Sequence, residues 1–328
     1  MARPGMAGIS KMHAMSTATA VPRTHGELEG DEALETLRRA GRRRLVADSV
    51  ARFRAADGFS HSRALAFQFT LTLLPALIAV VGLAAALDQD TFRSVVQATV
   101  DDLAPGAAGD ILTDALRHGT GAAGQESGET ALAGGFVAAL VAGTQAMAQV
   151  ERGANRIYGT ERDRPFVRKY LTGLLIALSA GLLALASFVV LVGGSAIRDS
   201  AGWSDSFDGI WSVARWPLGL AFVITAVSIL FEYSPRRRQP EPSWLAFGAG
   251  VSAALWLAFM GVLAVYIDAT ESFGATYGPL AGTIGVLLWA FATAVALFLG
   301  LAFAAQLEAV RAGIEAPRVE REENVAGS

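Results

Sequence analysis

The chain has 328 residues, of which 52% are apolar and 17% charged, with a mean hydropathy of +0.40, a balance that a water-soluble fold would not keep in solution. The formal charge of −3 is too small to mark a charged partner. Cysteine is absent, so disulfides, thiolate metal sites and cysteine nucleophiles are excluded.

Residues 1–30 mix Met, Ala, Thr, Pro and Gly without an apolar run, which predicts a disordered tail and no signal peptide. From Asp31 to Ser60 the composition changes. Arg38, Arg39, Arg42, Arg43, Arg44, Arg52 and Arg54 alternate with Leu34, Leu37, Val46, Val50 and Phe53 at roughly helical spacing. That pattern predicts a cationic helix on an anionic membrane surface, in preference to a solvated, salt-bridged helix.

A helix rising 1.5 Å per residue needs about 20 apolar residues to cross a hydrocarbon core about 30 Å thick. Six stretches meet the test: 64–87, 131–150, 171–197, 211–233, 244–267 and 280–307. The second is the weakest, being rich in Ala and Gly and holding Gln145 and Gln149. The fold class expected is all-α: a bundle of six transmembrane helices with an N-terminal interfacial helix and a helical extracytoplasmic loop. The membrane domain is drawn at 31–311, with disordered tails at 1–30 and 312–328.

Charge between the spans alternates. The segment before the first span is basic, as are the connections carrying Arg152, Arg156, Arg162, Arg164, Arg168 and Lys169, and Arg236, Arg237 and Arg238. The loop 88–130 has Arg93 and Arg117 against eight acidic residues. Asp199, Asp205 and Asp208 mark the next loop on that side, and Asp268 and Glu271 the last. By the positive-inside rule both termini and the basic loops are cytoplasmic. Omitting the second span would put an arginine cluster on the wrong side, so the alternation supports it. Within 88–130, Phe92, Val95, Val96, Thr99, Val100 and Leu103 share one helical face, and Ile111, Leu112, Ala115 and Leu116 share another. Two short helices capping the bundle, or a simple spacer, fit this loop.

Candidate pathway or structural residues follow from chemistry out of place in lipid. Pro75 leaves the Leu71 carbonyl without its helical donor, so a kink is expected, with Thr72, a neighbouring helix or water meeting that carbonyl. Gln68 stands on the same span. Gln145, Gln149, Arg152 and Arg156 recur at i, i+4, i+7 and i+11, one face that either lines a vestibule or bridges helices. On that helix Ala131, Gly135, Ala139 and Gly143 form a small-residue stripe for close packing. Glu232 precedes Arg236, Arg237 and Arg238, and an ion pair or lipid-headgroup contact is expected there. Tyr277, Gly278 and Pro279 open the last span: proline suits a helix start, glycine allows close approach, and the ring suits the water boundary. The four histidines, His13, His25, His61 and His118, lack metal-ligand spacing, and no phosphate-binding or nucleophile motif is present. No catalytic, metal or cofactor residue is therefore assigned, and no cofactor is expected.

Several stretches, "RALAFQFTLTLLPAL", "GANRIYGTERDRPFVRKYL" with Asn155, Tyr158 and Pro165, "LFEYSP" followed by arginines, and "VYIDATESFGATYGPLAGTIGVLLWAFATAVALFLG", are similar to the YihY/BrkB family of bacterial inner-membrane proteins, at one time labelled tRNA-processing ribonuclease BN. The resemblance covers residues 45 to 311. It implies a multi-pass protein of the bacterial plasma membrane. Ala302 and Ala304 stand where the family usually carries an acidic residue and an asparagine. The function expected is translocation of a solute or lipid, with a non-transporting scaffold and the ribonuclease as alternatives; an enzyme is not expected, because no residues here would hydrolyse RNA. The partners expected are the bilayer and anionic lipid headgroups on the cytoplasmic side, without nucleic acid; self-association is left open.

Overall fold

The computed structural model describes residues 18–23, 28, 30–87, 125–191, 205–269, 281–314 and 316–318. Among these residues the architecture is all helical: α1 (Gly30–Ala40), α2 (Arg42–Ala55), α3 (Gly58–Leu87), α4 (Gln125–Ile157), α5 (Phe166–Leu191), α6 (Asp205–Tyr233), α7 (Pro242–Ala269) and α8 (Ala281–Arg311). The last six are long and apolar enough to cross a membrane, as the hydropathy predicts. The expected extracytoplasmic loop helices fall outside the described residues.

The single N-terminal helix expected from the arginine pattern is two. Gly41 adopts φ +79°, where a side chain would clash with its own backbone, so α1 ends and α2 starts in a new direction. α1 carries Asp31 and Glu32 in its first turn and Arg38 and Arg39 in its last, matching the helix dipole at both ends. On α2, Leu45, Ser49, Arg52 and Phe53 face the bundle and are buried, whereas Val46 and Val50 remain exposed. Arg52 thus departs from its expected place on a surface face.

Each spanning helix packs against its sequence neighbour, and α8 packs back against α3, which closes a ring in the order α3, α4, α5, α6, α7, α8. α8 also contacts α1, α2 and α4, and 56% of its spanning window is buried against 17–39% for the other five. It is the post around which one end of the bundle is built. Burial is uneven along the helices. On α3, Ser62, Leu65 and Ala66 are buried and no residue from Phe67 to Ala79 is; on α7, burial stops at Ala253; on α8, nearly every residue from Ala294 to Ala309 is buried. The packed core therefore lies at the end that carries the arginine-rich connections, and burial is sparser in the described opposite halves.

The most extensive helix pair is α3 with α4. A Cβ placed on Gly135 would stand 2.6 Å from the Ala79 nitrogen, and one on Gly143 would meet Ala177 and Thr72 at ordinary contact distances. The small-residue stripe is a packing seam, as its spacing predicts. α3 runs as one helix through Pro75, and the Thr72 hydroxyl donates to the Gln68 carbonyl at 2.8 Å rather than to that of Leu71.

Part of the segment expected as a tail is held against the bundle. Ala18, Val21 and Leu28 are buried, and Ala18 forms an isolated antiparallel bridge with Arg318. These residues lie across the arginine-rich end as a short strap.

Candidate functional site

The polar groups that apolar helices must satisfy collect at the packed end. Arg52 projects from α2 into the core and is 0% exposed. Its Nε donates to Gln306 Oε1 at 2.7 Å, and its Nη1 donates to the carbonyls of Thr19 and Ile157 at 2.8 and 3.1 Å. Burial pushes its guanidinium down to about 10, against the opposing influence of Tyr158 and Glu308.

Beside it, Arg237 and Glu308 form an ion pair at 2.5 Å with side chains 3% and 0% exposed. The Arg237 guanidinium lies over the Tyr158 ring, 4.6 Å from its centroid, and donates to the carbonyls of Val21 and Pro22. Burial, and then the Glu308 charge, raise the Tyr158 phenol above its ordinary range. Two buried cations thus share one buried carboxylate.

A second cluster binds the α4–α5 connection to the end of α6. The fully buried Asn155 donates to Asp163 Oδ1 at 2.9 Å and accepts the Arg236 backbone N–H at 2.7 Å. Lys169 reaches Asp163 Oδ2 at 2.8 Å. Burial alone would raise the Asp163 carboxyl, but the hydrogen bonds from Lys169 and Asn155, with the nearby charges of Lys169 and Arg156, lower it overall. Arg164 pairs with buried Glu151 at 3.1 Å and donates to the carbonyls of Tyr233, Ser234 and Pro235. Those oxygens end α6 and have no helical donor, so a fork of guanidinium N–H groups caps them.

The structure separates some candidates that the spacing grouped. Gln149 is buried, and its Nε2 lies 3.2 Å from His61 Nδ1 on α3, whereas Gln145, one turn away, is exposed. Arg152 lies 3.9 Å from Asp163, and Arg156 donates to the Thr160 and Glu161 carbonyls. Both contacts brace the α4–α5 connection. Gln68 and Pro75 share one face of α3 with Thr72 and Ala79, the two residues that approach α4 at its glycines, and Gln68 Oε1 is buried without a hydrogen-bond partner. Arg237 pairs with Glu308 and not with Glu232, which takes part in no ion pair among the described residues. Tyr277 and Gly278 lie outside the described residues.

Arg52, Gln306 and Glu308 were not singled out by sequence. Ala302 and Ala304 are buried and apolar, but an amide and an acid recur one turn later at the same spacing, at 306 and 308, and both are 0% exposed. The signal was available as two polar residues in the otherwise apolar run "LAFAAQLEAV". Where that run stood relative to the bilayer decided whether they read as core or as a solvated helix end.

The comparison with known families matches this arrangement to the virulence factor BrkB family over residues 49–324, from α2 past the end of α8. The chain belongs to that family. A relative in Bacillus subtilis, named as the ribonuclease-like protein YfkH, is 26% identical over 254 residues, covering 76% of this chain and 90% of that one. A UPF0761 membrane protein of Azoarcus sp., azo3165, is 28% identical over 249 residues, which cover 75% of this chain and 59% of its own length. No solved structure matches the chain. The match agrees with the resemblance seen in the sequence motifs, and it makes the chain a BrkB-family membrane protein with six spanning helices.

Proposed function

We propose that this BrkB-family protein moves a solute or a lipid across the bacterial plasma membrane, with both termini and the arginine-rich end in the cytoplasm. The observation that carries the reading is the uneven burial of the ring: a densely packed, polar, arginine-rich end joined to halves whose described residues are mostly not buried. A protein that only anchored partners would gain from packing its spans along their whole length. The buried Gln68 carbonyl, facing the α4 seam, adds a polar group at membrane depth that packing does not require. The alternation of basic and acidic loops supports the orientation, and the exposed Arg38, Arg42 and Arg43 beside exposed Val46 and Val50 suit anionic headgroups at the cytoplasmic surface.

The test is reconstitution in liposomes of phosphatidylethanolamine and phosphatidylglycerol, following solute flux and lipid scrambling. Translocation above empty vesicles, reduced in Gln68→Leu and Pro75→Ala, is expected. No movement of any solute or lipid, in an assay that reports a known translocator, would leave a scaffold as the function.

Hydrolysis of RNA is a separate question, raised by the name of the Bacillus subtilis relative. Among the described residues no group of three or more His, Cys, Asp or Glu stands together to hold a metal. Purified protein free of contaminating nuclease is expected to leave tRNA intact; cleavage that copurifies with the protein would reverse this.

A further inference from the structure

The knot around Arg52 holds more buried cation than anion. Among the described residues Arg52 and Arg237 face a single buried carboxylate, Glu308, which leaves one positive charge in excess. Burying such a charge is costly unless an anion or several dipoles stand against it. Here the dipoles come in large part from the strap: carbonyls of Thr19, Val21 and Pro22 accept from the two guanidinium groups.

Apart from those guanidinium contacts, the strap is held by few bonds. Its backbone holds the bundle through Val21 N–H to the Tyr158 carbonyl at 3.2 Å and Thr19 N–H to the Pro317 carbonyl at 3.2 Å, with Ala18 and Val21 as buried anchors. Beneath it Arg52 Nη2 is buried without a hydrogen-bond partner, while the Tyr158 hydroxyl and the Gln239 amide stand within reach of one another. Orphaned donors of this kind are uncommon in packed cores and need a reason. An unpartnered guanidinium N–H beside a second buried guanidinium is a donor set suited to an oxyanion.

We propose that the Arg52–Arg237 knot is a binding site for a singly charged phosphate group, over which residues 18–23 fold as an intramolecular lid. When the lid lifts, phosphate oxygens replace the strap carbonyls on both arginines and reach Arg52 Nη2. Glu308 holds Arg237 in place and sets the preference, because it leaves one net positive charge and disfavours a dianion. The phosphate comes either free from the solvent or as the headgroup of a membrane lipid; both present the same oxygens. The site stands apart from translocation, and its test reads binding rather than transport.

The experiment follows hydrogen–deuterium exchange of the full chain in a detergent with an uncharged headgroup, with inorganic phosphate or with chloride at the same ionic strength. Phosphate, and not chloride, is expected to raise exchange at Thr19 and Val21. Arg52→Gln abolishes the response. Should that variant fail to fold, Val21→Pro tests the lid without touching either arginine. It removes one strap hydrogen bond, so apparent phosphate affinity rises by about fivefold as the open form becomes more populated. A second arm compares nanodiscs of phosphatidylglycerol with nanodiscs of phosphatidylcholine in phosphate-free buffer. Strap opening confined to phosphatidylglycerol assigns the lipid source, and opening by free phosphate alone assigns the soluble one. No phosphate-specific change in the wild type or in Val21→Pro, a response shared by chloride, or a response that persists in a folded Arg52→Gln overturns the proposal.

Discussion

Glu308 and Arg237 form a buried pair, yet removal of the two partners should not cost the same. Breaking a buried pair by deleting one partner costs about 3–5 kcal/mol, because the survivor keeps its charge without a counterion. Glu308→Gln leaves Arg237 and Arg52 buried together with no carboxylate between them, so the full range applies. Arg237→Gln leaves Glu308, but Arg52 still acts on that carboxylate electrostatically. Its loss is that of a charged hydrogen bond, about 1.5–3 kcal/mol, and the Tyr158 ring and the strap carbonyls give up their cation at the same time. Replacing both with Met removes the uncompensated charges together and should recover more than half of the Glu308→Gln loss. The assay is equilibrium unfolding in mixed micelles, read as a double-mutant cycle. Equal losses for the two single variants, or a larger one for Arg237→Gln, would refute the argument that the knot carries one cation too many.

Other consequences can be measured directly. Gly135→Val places a branched side chain against the Ala79 backbone, which cannot give way without moving α3; a loss of about 1–3 kcal/mol in unfolding free energy is expected, whereas Gly134→Val, with open space at its Cβ, should be near neutral. Asn155→Ala leaves the Arg236 N–H and one Asp163 oxygen without their partner, costs about 1–3 kcal/mol, and should expose the segment 158–165 to limited proteolysis. The lowered Asp163 carboxyl contributes stability that is complete above its ordinary value of 3.8 and is lost as pH falls below that value through the folded one. Acid unfolding curves of the wild type and Asp163→Asn should therefore differ from neutral pH down to about 4 and converge only as pH falls below 3.8. The chain has no cysteine, so single cysteines are background-free labels. Arg238→Cys in intact cells should react only with a membrane-permeant maleimide and Gly121→Cys also with an impermeant one; the reverse pattern would invert the proposed orientation.

Six spans, the alternation of charge and the small-residue face of α4 that lets a neighbour approach were all legible in the residue order; that the neighbour is α3 was not. Apolar length, arginine placement and small residues four apart act through local geometry and the bilayer, which are the same wherever the helix ends up. The positions of the buried polar groups were not legible. Arg52 belongs to a run of arginines that reads as one surface face, and only the turn at Gly41 and the docking of α2 on α8 put it inside while Arg42 and Arg43 stay out. Gln145 and Gln149 share a helical face by spacing, and the approach of α3 at His61 buries one and leaves the other exposed. Periodicity says which residues point the same way. Which of those directions meets a neighbour, and which buried charge then needs a partner from far along the chain, is settled only when the helices are assembled, because a charge is paired through space and not along the sequence.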